Sequence, residues 1–219
     1  MKVIVFGATG MVGQGVLRES LLDPAVEHVL VVGRSATGLQ HEKLSEIVHA
    51  DFLDFSSIAP QLGGYDACFF CLGISVAGMT EAAYRHVTYD LTLAAAWTLV
   101  RLNPGMTFIY VTGMGTDSSE RGRTMWARVK GETENALLRL PFKAAYMFRP
   151  GAIQPLHGVR SKTAWVQTIY TVFGPLFGVV KAIAPNYVTT TEQLGRAMIR
   201  VTQSQPAQRI FETRDINAA

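Results

Sequence analysis

The chain begins MKVIVFGATGMVGQGVL, and no feature constrains its fold more than the three glycines Gly7, Gly10 and Gly13, spaced by three directly behind a run of strand-forming residues. A strand that stops at a glycine-rich turn and feeds a helix gathers free backbone N–H groups and the positive end of the helix dipole at one point. Such a point attracts a pyrophosphate. Gly7 serves the tight turn, Gly10 lets backbone approach phosphates with no Cβ in the way, and Gly13 lets the helix pack closely on the sheet. The spacing is informative because it lies between a strand and a helix, inside a βαβ unit of the expected length.

Further along, apolar runs of strand length alternate with helical patterns. KVIVF (2–6) precedes a helix near 11–21, and HVLVVG (28–33), EIVHADF (46–52) and DACFFCLG (66–73) follow as strands. A helix over about 80–102 ends at Asn103-Pro104-Gly105, before a strand TFIYVTG (107–113), a helix near 124–139 and a strand AAYMFRPG (144–151). Strands buried on both faces read as continuous apolar runs, and helices between them imply crossovers. The expected fold is α/β: a Rossmann-type doubly wound parallel sheet. Residues 1–219 are read as one dinucleotide-binding domain, with those from about 152 on forming a small C-terminal lobe on the substrate side.

Composition narrows the function. With 48% hydrophobic and 17% charged residues the chain is an ordinary globular protein, and its net charge of +3 is spread without a dense basic block, so nucleic-acid binding is not expected. The strand at the start is read as no export signal, which gives a cytoplasmic expectation. Cys68 and Cys71 have redox spacing but fall in an expected strand, where residues three apart face opposite sides; they read as core thiols, and no metal site is expected.

After the second strand a carboxylate would hydrogen-bond a ribose 2′-hydroxyl. This sequence instead has Gly33-Arg34-Ser35, and a guanidinium suits a 2′-phosphate, which favours NADP over NAD.

Together GATGMVG, Arg34, HADFLD after the third strand and CLG after the fourth resemble the short-chain dehydrogenase/reductase superfamily, in its extended and atypical branches. VTGMGTDSSERGRTMWARVKGETENALL and FRPG resemble that family's later blocks, so the likeness covers about residues 1–155. The short length and VKGE are similar to the small Tat-interacting-protein type and other NAD(P)H-binding, epimerase-like proteins. The resemblance implies that the amides of Thr9, Met11 and Val12 hold the pyrophosphate. It places Asp51, Phe52 and Leu53 beside the adenine, Ser35 beside Arg34, Leu72 and Gly73 along the ribose path, and Pro150 to Ile153 near the nicotinamide.

One departure matters. The family's catalytic helix carries Tyr-x-x-x-Lys, in which the lysine lowers the phenol pKa and holds the nicotinamide ribose; here the string is Trp126-Ala127-Arg128-Val129-Lys130. Lys130 is in place, but an indole N–H has no accessible proton equilibrium, so Trp126 cannot act as general acid and is expected to flank the nicotinamide or substrate. In place of the family's serine the chain offers Thr112 or Thr116, and Thr112 is the expected carbonyl donor. Two readings follow: an NADP-dependent oxidoreductase acting on an apolar carbonyl-type small molecule, its proton relayed through Lys130 and a water or supplied by a nearby Tyr or His, or a noncatalytic NADP(H)-binding sensor or interaction protein.

Other residues read more simply. His86 and Tyr89 share a helix face after the fourth strand, while Tyr110 and Tyr146 read as core. Residues 164–180 carry no formal charge but include Gln, Gly and Pro, so they read less as a span than as a pocket roof, a homodimer contact or a peripheral membrane contact, three readings that stay open. VTTTEQLGRAMIRV (188–201) is a helix capped by Thr190 or Thr191, and the residues from about Thr213 are expected to fray.

Overall fold

A computed structural model describes residues 1–159 and 186–219; the apolar segment 164–180 lies outside the described residues. The elements relevant to the site are β1 (Lys2–Phe6), α1 (Met11–Leu22), β2 (His28–Gly33), β3 (Leu44–Val48), β4 (Ala67–Phe70), α2 (Glu81–Arg85), α3 (Leu91–Leu102), β5 (Thr107–Val111), α4 (Met125–Leu138) and β6 (Ala144–Arg149). The chain then gives β7 (Ala152–Gln154), β8 (Val188–Thr190), α5 (Thr191–Ser204), β9 (Ile210–Glu212) and α6 (Thr213–Ala218).

Among the described residues, seven strands form one sheet in the order β3-β2-β1-β4-β5-β6-β9, and every pairing in it is parallel. The first six follow the doubly wound Rossmann order, which reverses between β1 and β4 and opens a crevice there at the carboxyl ends of the strands. Alternation along each strand feeds two cores. Val3, Val5, Ile109, Tyr146 and Phe148 pack on one face, and Ile4, Phe6, Phe108, Tyr110 and Met147 on the other. Both tyrosines are core residues, as expected. β7 and β8 make a separate two-stranded parallel sheet.

Several sequence expectations need correction. The third strand is not 46–52 but Leu44–Val48, because Phe52 and Phe55 leave the sheet to pack edge-on against Phe6, with ring centroids 6.0 Å away in each case. β4 ends at Phe70, one residue before Cys71 rather than at 73. Cys68 is therefore a buried core thiol, whereas Cys71 is only half-buried, and burial pushes both thiols up in pKa. The expected helix 80–102 is interrupted by a π-helical stretch, His86–Asp90, between α2 and α3.

The C-terminal residues do not fray. Glu212 and Asp215 form a capping box, Ile216 is fully buried, and Asn217 Nδ2 donates to Val188 O at 2.9 Å, so α6 is tied down by the β8 strand. As for the preceding helix, Thr190 is the cap: its Oγ1 accepts from Gln193 N at 3.0 Å, while residues 188–190 themselves are strand.

Candidate functional site

The crevice holds three contiguous cavities of about 490, 310 and 320 Å³. The inner and middle ones share Met11 and Cys71 to Gly73; the middle and outer ones share Arg34, Phe52, Leu72 and Gly73. A continuous channel thus runs from the end of β2, past the glycine turn, to the ends of β5 and β6.

The glycine turn is built as its spacing implies. Gly7 has φ +76°, and a Cβ there would lie 2.7 Å from the Cys71 carbonyl and the Leu72 nitrogen. A Cβ on Gly13 would lie 2.1 Å from Gly7 O, so only glycine lets α1 start this close to β1. Gly10 is the N-cap of α1, with no side-chain cap and no acidic residue in the first turn. The first-turn amides of a helix lack intrahelical acceptors, and among the described residues no side chain caps them and no carboxylate sits in the first turn. These features fit a dinucleotide pyrophosphate.

Around that turn the expected residues assemble. Thr9, Gly10 and Met11 border the middle cavity with Gly33, Arg34 and Ser35. Arg34 and Ser35 are exposed at the rim. Asp51, Phe52 and Leu53 border the outer cavity, where Asp51 Oδ1 accepts from Leu53 N at 2.9 Å and fixes the loop. Val12, Leu72, Gly73, Pro150, Gly151 and Ile153 border the inner one. His86 also reaches the outer cavity, paired with Asp90 at 3.2 Å, while Tyr89 lies 4.2 Å beneath the Arg85 guanidinium; the π-helical stretch gives them separate surroundings.

Lys130 lies at the floor of the inner cavity, and its Nζ donates to Thr112 O at 2.6 Å. Burial lowers its pKa from the ordinary 10.5 to about 8, against an opposing pull from Glu134. Among the described residues lining this cavity, only Cys71 and Lys130 are titratable.

The other two expected catalytic residues behave differently. The Thr112 hydroxyl is buried and donates inward, to Glu134 Oε1 at 2.6 Å, with Phe148 O as a second acceptor at 3.2 Å. Its single proton is therefore turned away from the cavity, which corrects its expected role as carbonyl donor. Thr116 Oγ1 donates to Gly113 O at 2.7 Å and closes its own turn. Trp126, one helical turn before Lys130, is half-buried with its ring near Gly115 and is not among the residues lining the inner cavity.

Sequence reasoning missed the group behind the site. Glu134 is fully buried and receives the Arg149 guanidinium through Nε (3.1 and 3.2 Å) and through a close Nη2 contact. Arg149 also donates to Ser118 Oγ at 2.5 Å and pairs with Glu212 at 3.4 Å. The available signal was the four-residue step from Lys130 to Glu134, which puts both on one helical face. A second polar cluster, Glu19, His157 and Glu192, has ligand atoms within 4.8 Å of one another, but Arg18 and Arg196 already pair with its carboxylates.

No family model matches the sequence. The chain is 28% identical to Protein HTATIP2 of Rattus norvegicus over 155 residues, 69% of this chain and 62% of that protein, so it aligns with less than two thirds of that relative's length. It is 25% identical over 206 residues to Protein fmp52, mitochondrial, of Emericella nidulans, covering 90% of this chain and 85% of that one. An oxidoreductase of the short-chain dehydrogenase/reductase family from Burkholderia thailandensis superposes with a TM-score of 0.67 at 14% identity, over 96% of this chain and 89% of that one. The fold and the resemblance read from the motifs thus agree. The cytoplasmic expectation is corrected, because this fungal relative and several others are named mitochondrial.

Proposed function

We propose that this chain, which has the Rossmann fold and superposes on an oxidoreductase of the short-chain dehydrogenase/reductase family, binds NADP(H) and reduces an apolar carbonyl-type small molecule. The observation that carries this is the channel itself: an uncapped, carboxylate-free helix start behind Gly7, Gly10 and Gly13, continuous with a cavity floored by Lys130. The reading treats residues 1–219 as one dinucleotide-binding unit whose part beyond about 152 contributes to the substrate side.

In this reading the first-turn amides of α1, with Thr9, Met11 and Val12, hold the pyrophosphate, and Arg34 with Ser35 faces the 2′-phosphate. Arg34 suits that role because it is exposed at the channel rim and has no carboxylate partner among the described residues. Asp51, Phe52 and Leu53 border the adenine, Leu72 and Gly73 the ribose path, and Pro150 to Ile153 the nicotinamide end. A reduced nicotinamide bound here supplies hydride. Lys130 orients the adjoining ribose through the N–H groups not given to Thr112 O. The inner cavity, lined by Met11, Val12, Ile74, Val111 and Met114, suits an apolar acceptor.

The chain's missing tyrosine and inward-turned Thr112 favour one second reading, a noncatalytic NADP(H)-binding sensor. NADPH oxidation measured against a panel of aldehydes and ketones decides between them. The enzyme reading expects cofactor-dependent conversion of at least one apolar member; binding without conversion across the panel supports the sensor.

A further inference from the structure

We propose that the Lys130 ammonium is itself the proton donor of this site, transferring a proton from Nζ directly to the substrate oxygen and so replacing the absent tyrosine. The inference rests on the reductase reading above and assigns it an acid. Hydride arriving at a carbonyl carbon leaves the electron pair of the C=O bond on oxygen, and that oxygen must take a proton. Nζ loses this proton, becomes a neutral amine and regains a proton from solvent, so charge and atoms balance.

The cavity leaves few donors. Among its described lining residues only Cys71 and Lys130 titrate, and the Cys71 thiol is held firmly protonated by burial. Trp126 does not line it, and the Thr112 proton goes to Glu134. Lys130, by contrast, is aimed. Its Nζ is anchored on Thr112 O at 2.6 Å, and that residue is held through its side chain by Glu134, which Arg149 grips in turn. An ammonium has three N–H groups, so two remain after this anchor. Opposite Nζ stands Gly113, where even an added Cβ would stay 3.9 Å away, so no side chain of that residue shields the amine.

The charges around Nζ are balanced. Glu134 lies one turn along α4, and Arg149 from β6 neutralises that carboxylate from behind; Cys71 follows β4, and the positive end of α1 borders the same cavity. Burial brings the amine's pKa down to about 8 against the pull of Glu134, closer to the range in which a general acid works best.

The test uses full-length wild type, Lys130→Arg and Lys130→Met. Lys130→Arg keeps a cation that can hold a ribose but cannot give up a proton near neutral pH. NADPH binding is followed by calorimetry, turnover with decanal and p-nitrobenzaldehyde, and amine reactivity of Lys130 by acetic anhydride labelling against pH with peptide mass mapping. The proposal expects Lys130 labelling with a midpoint near pH 8, suppressed by NADPH. It expects Lys130→Arg to bind NADPH within about threefold of wild type yet lose about 100-fold or more in kcat, in line with loss of a general acid. Wild-type kcat should fall as pH rises through that midpoint, and Lys130→Met should be as inactive as Lys130→Arg.

Turnover by Lys130→Arg within about threefold of wild type, or a Lys130 amine that titrates like an ordinary lysine, overturns the proposal and leaves the reductase reading standing. Wild type that binds NADPH but converts neither aldehyde and no other member of the aldehyde and ketone panel removes the reductase reading and the proposal together, and wild type that binds no NADPH removes the dinucleotide reading beneath both.

Discussion

Glu134→Gln is the substitution whose cost follows most directly from the packing. The carboxylate is fully buried and accepts from Thr112 Oγ1 and from the Arg149 guanidinium, so one side chain ties α4 to the ends of β5 and β6. A glutamine of the same shape keeps one acceptor oxygen but turns an NH₂ toward a donor, and it leaves the Arg149 charge without its buried partner. Breaking a buried ion pair from one side costs about 3–5 kcal/mol. Glu212 at 3.4 Å and Ser118 at 2.5 Å still engage Arg149, and the amide oxygen still accepts one bond, which brings the expected loss to about 2–3 kcal/mol. For a chain of this size that lowers Tm by about 5–10 °C. Urea unfolding with an unchanged slope, together with scanning calorimetry, reads both numbers. Replacing both partners, Glu134→Leu with Arg149→Met, should recover most of the loss, because an apolar pair carries no orphaned charge. A shift under about 0.5 kcal/mol in Glu134→Gln would refute the network as a structural tie.

Three further outcomes are expected. Arg34→Asp should weaken NADPH by about 10–100-fold and leave NADH nearly unchanged, the worth of one or two charge-assisted hydrogen bonds; equal loss of both cofactors in parallel titrations would remove the 2′-phosphate assignment. Thr112→Val should cost about 1–2 kcal/mol in urea unfolding, because the hydroxyl is buried against Glu134; unchanged stability would remove this hydroxyl from the buried network. Lys130 has its pKa depressed by folding, so the unfolded chain keeps this proton to higher pH and the native state gains stability as pH rises from about 8 toward 10.5. Wild type should therefore become more stable relative to Lys130→Met between pH 7 and 10, by at most about 3 kcal/mol, and parallel pH-dependent unfolding curves would contradict this.

Much of the fold was legible because its signals are local and repeated. Strands such as KVIVF and TFIYV are apolar on both faces, which only a sheet covered on both sides accommodates, and the spacing of Gly7, Gly10 and Gly13 specified the turn that the backbone adopts. The channel lining from Thr9 to Ile153 followed from the same order of blocks. What sequence did not reveal depends on contacts distant along the chain. The third strand stops early because Phe52 and Phe55 join Phe6 in the core. The last residues hold because Asn217 and Ile216 dock on elements far upstream. Thr112 turns inward because Glu134, 22 residues later, outcompetes the cavity for its proton. Local pattern carries no trace of such pairings.

The most direct test of the account is a calorimetric titration of the full-length protein with NADPH and, separately, with NADH. The channel predicts one NADPH per chain, bound at least tenfold more tightly than NADH and lost when Gly13→Val drives a side chain into Gly7 O. Absence of heat and of saturable binding with either dinucleotide would contradict the assignment of the three glycines to a pyrophosphate.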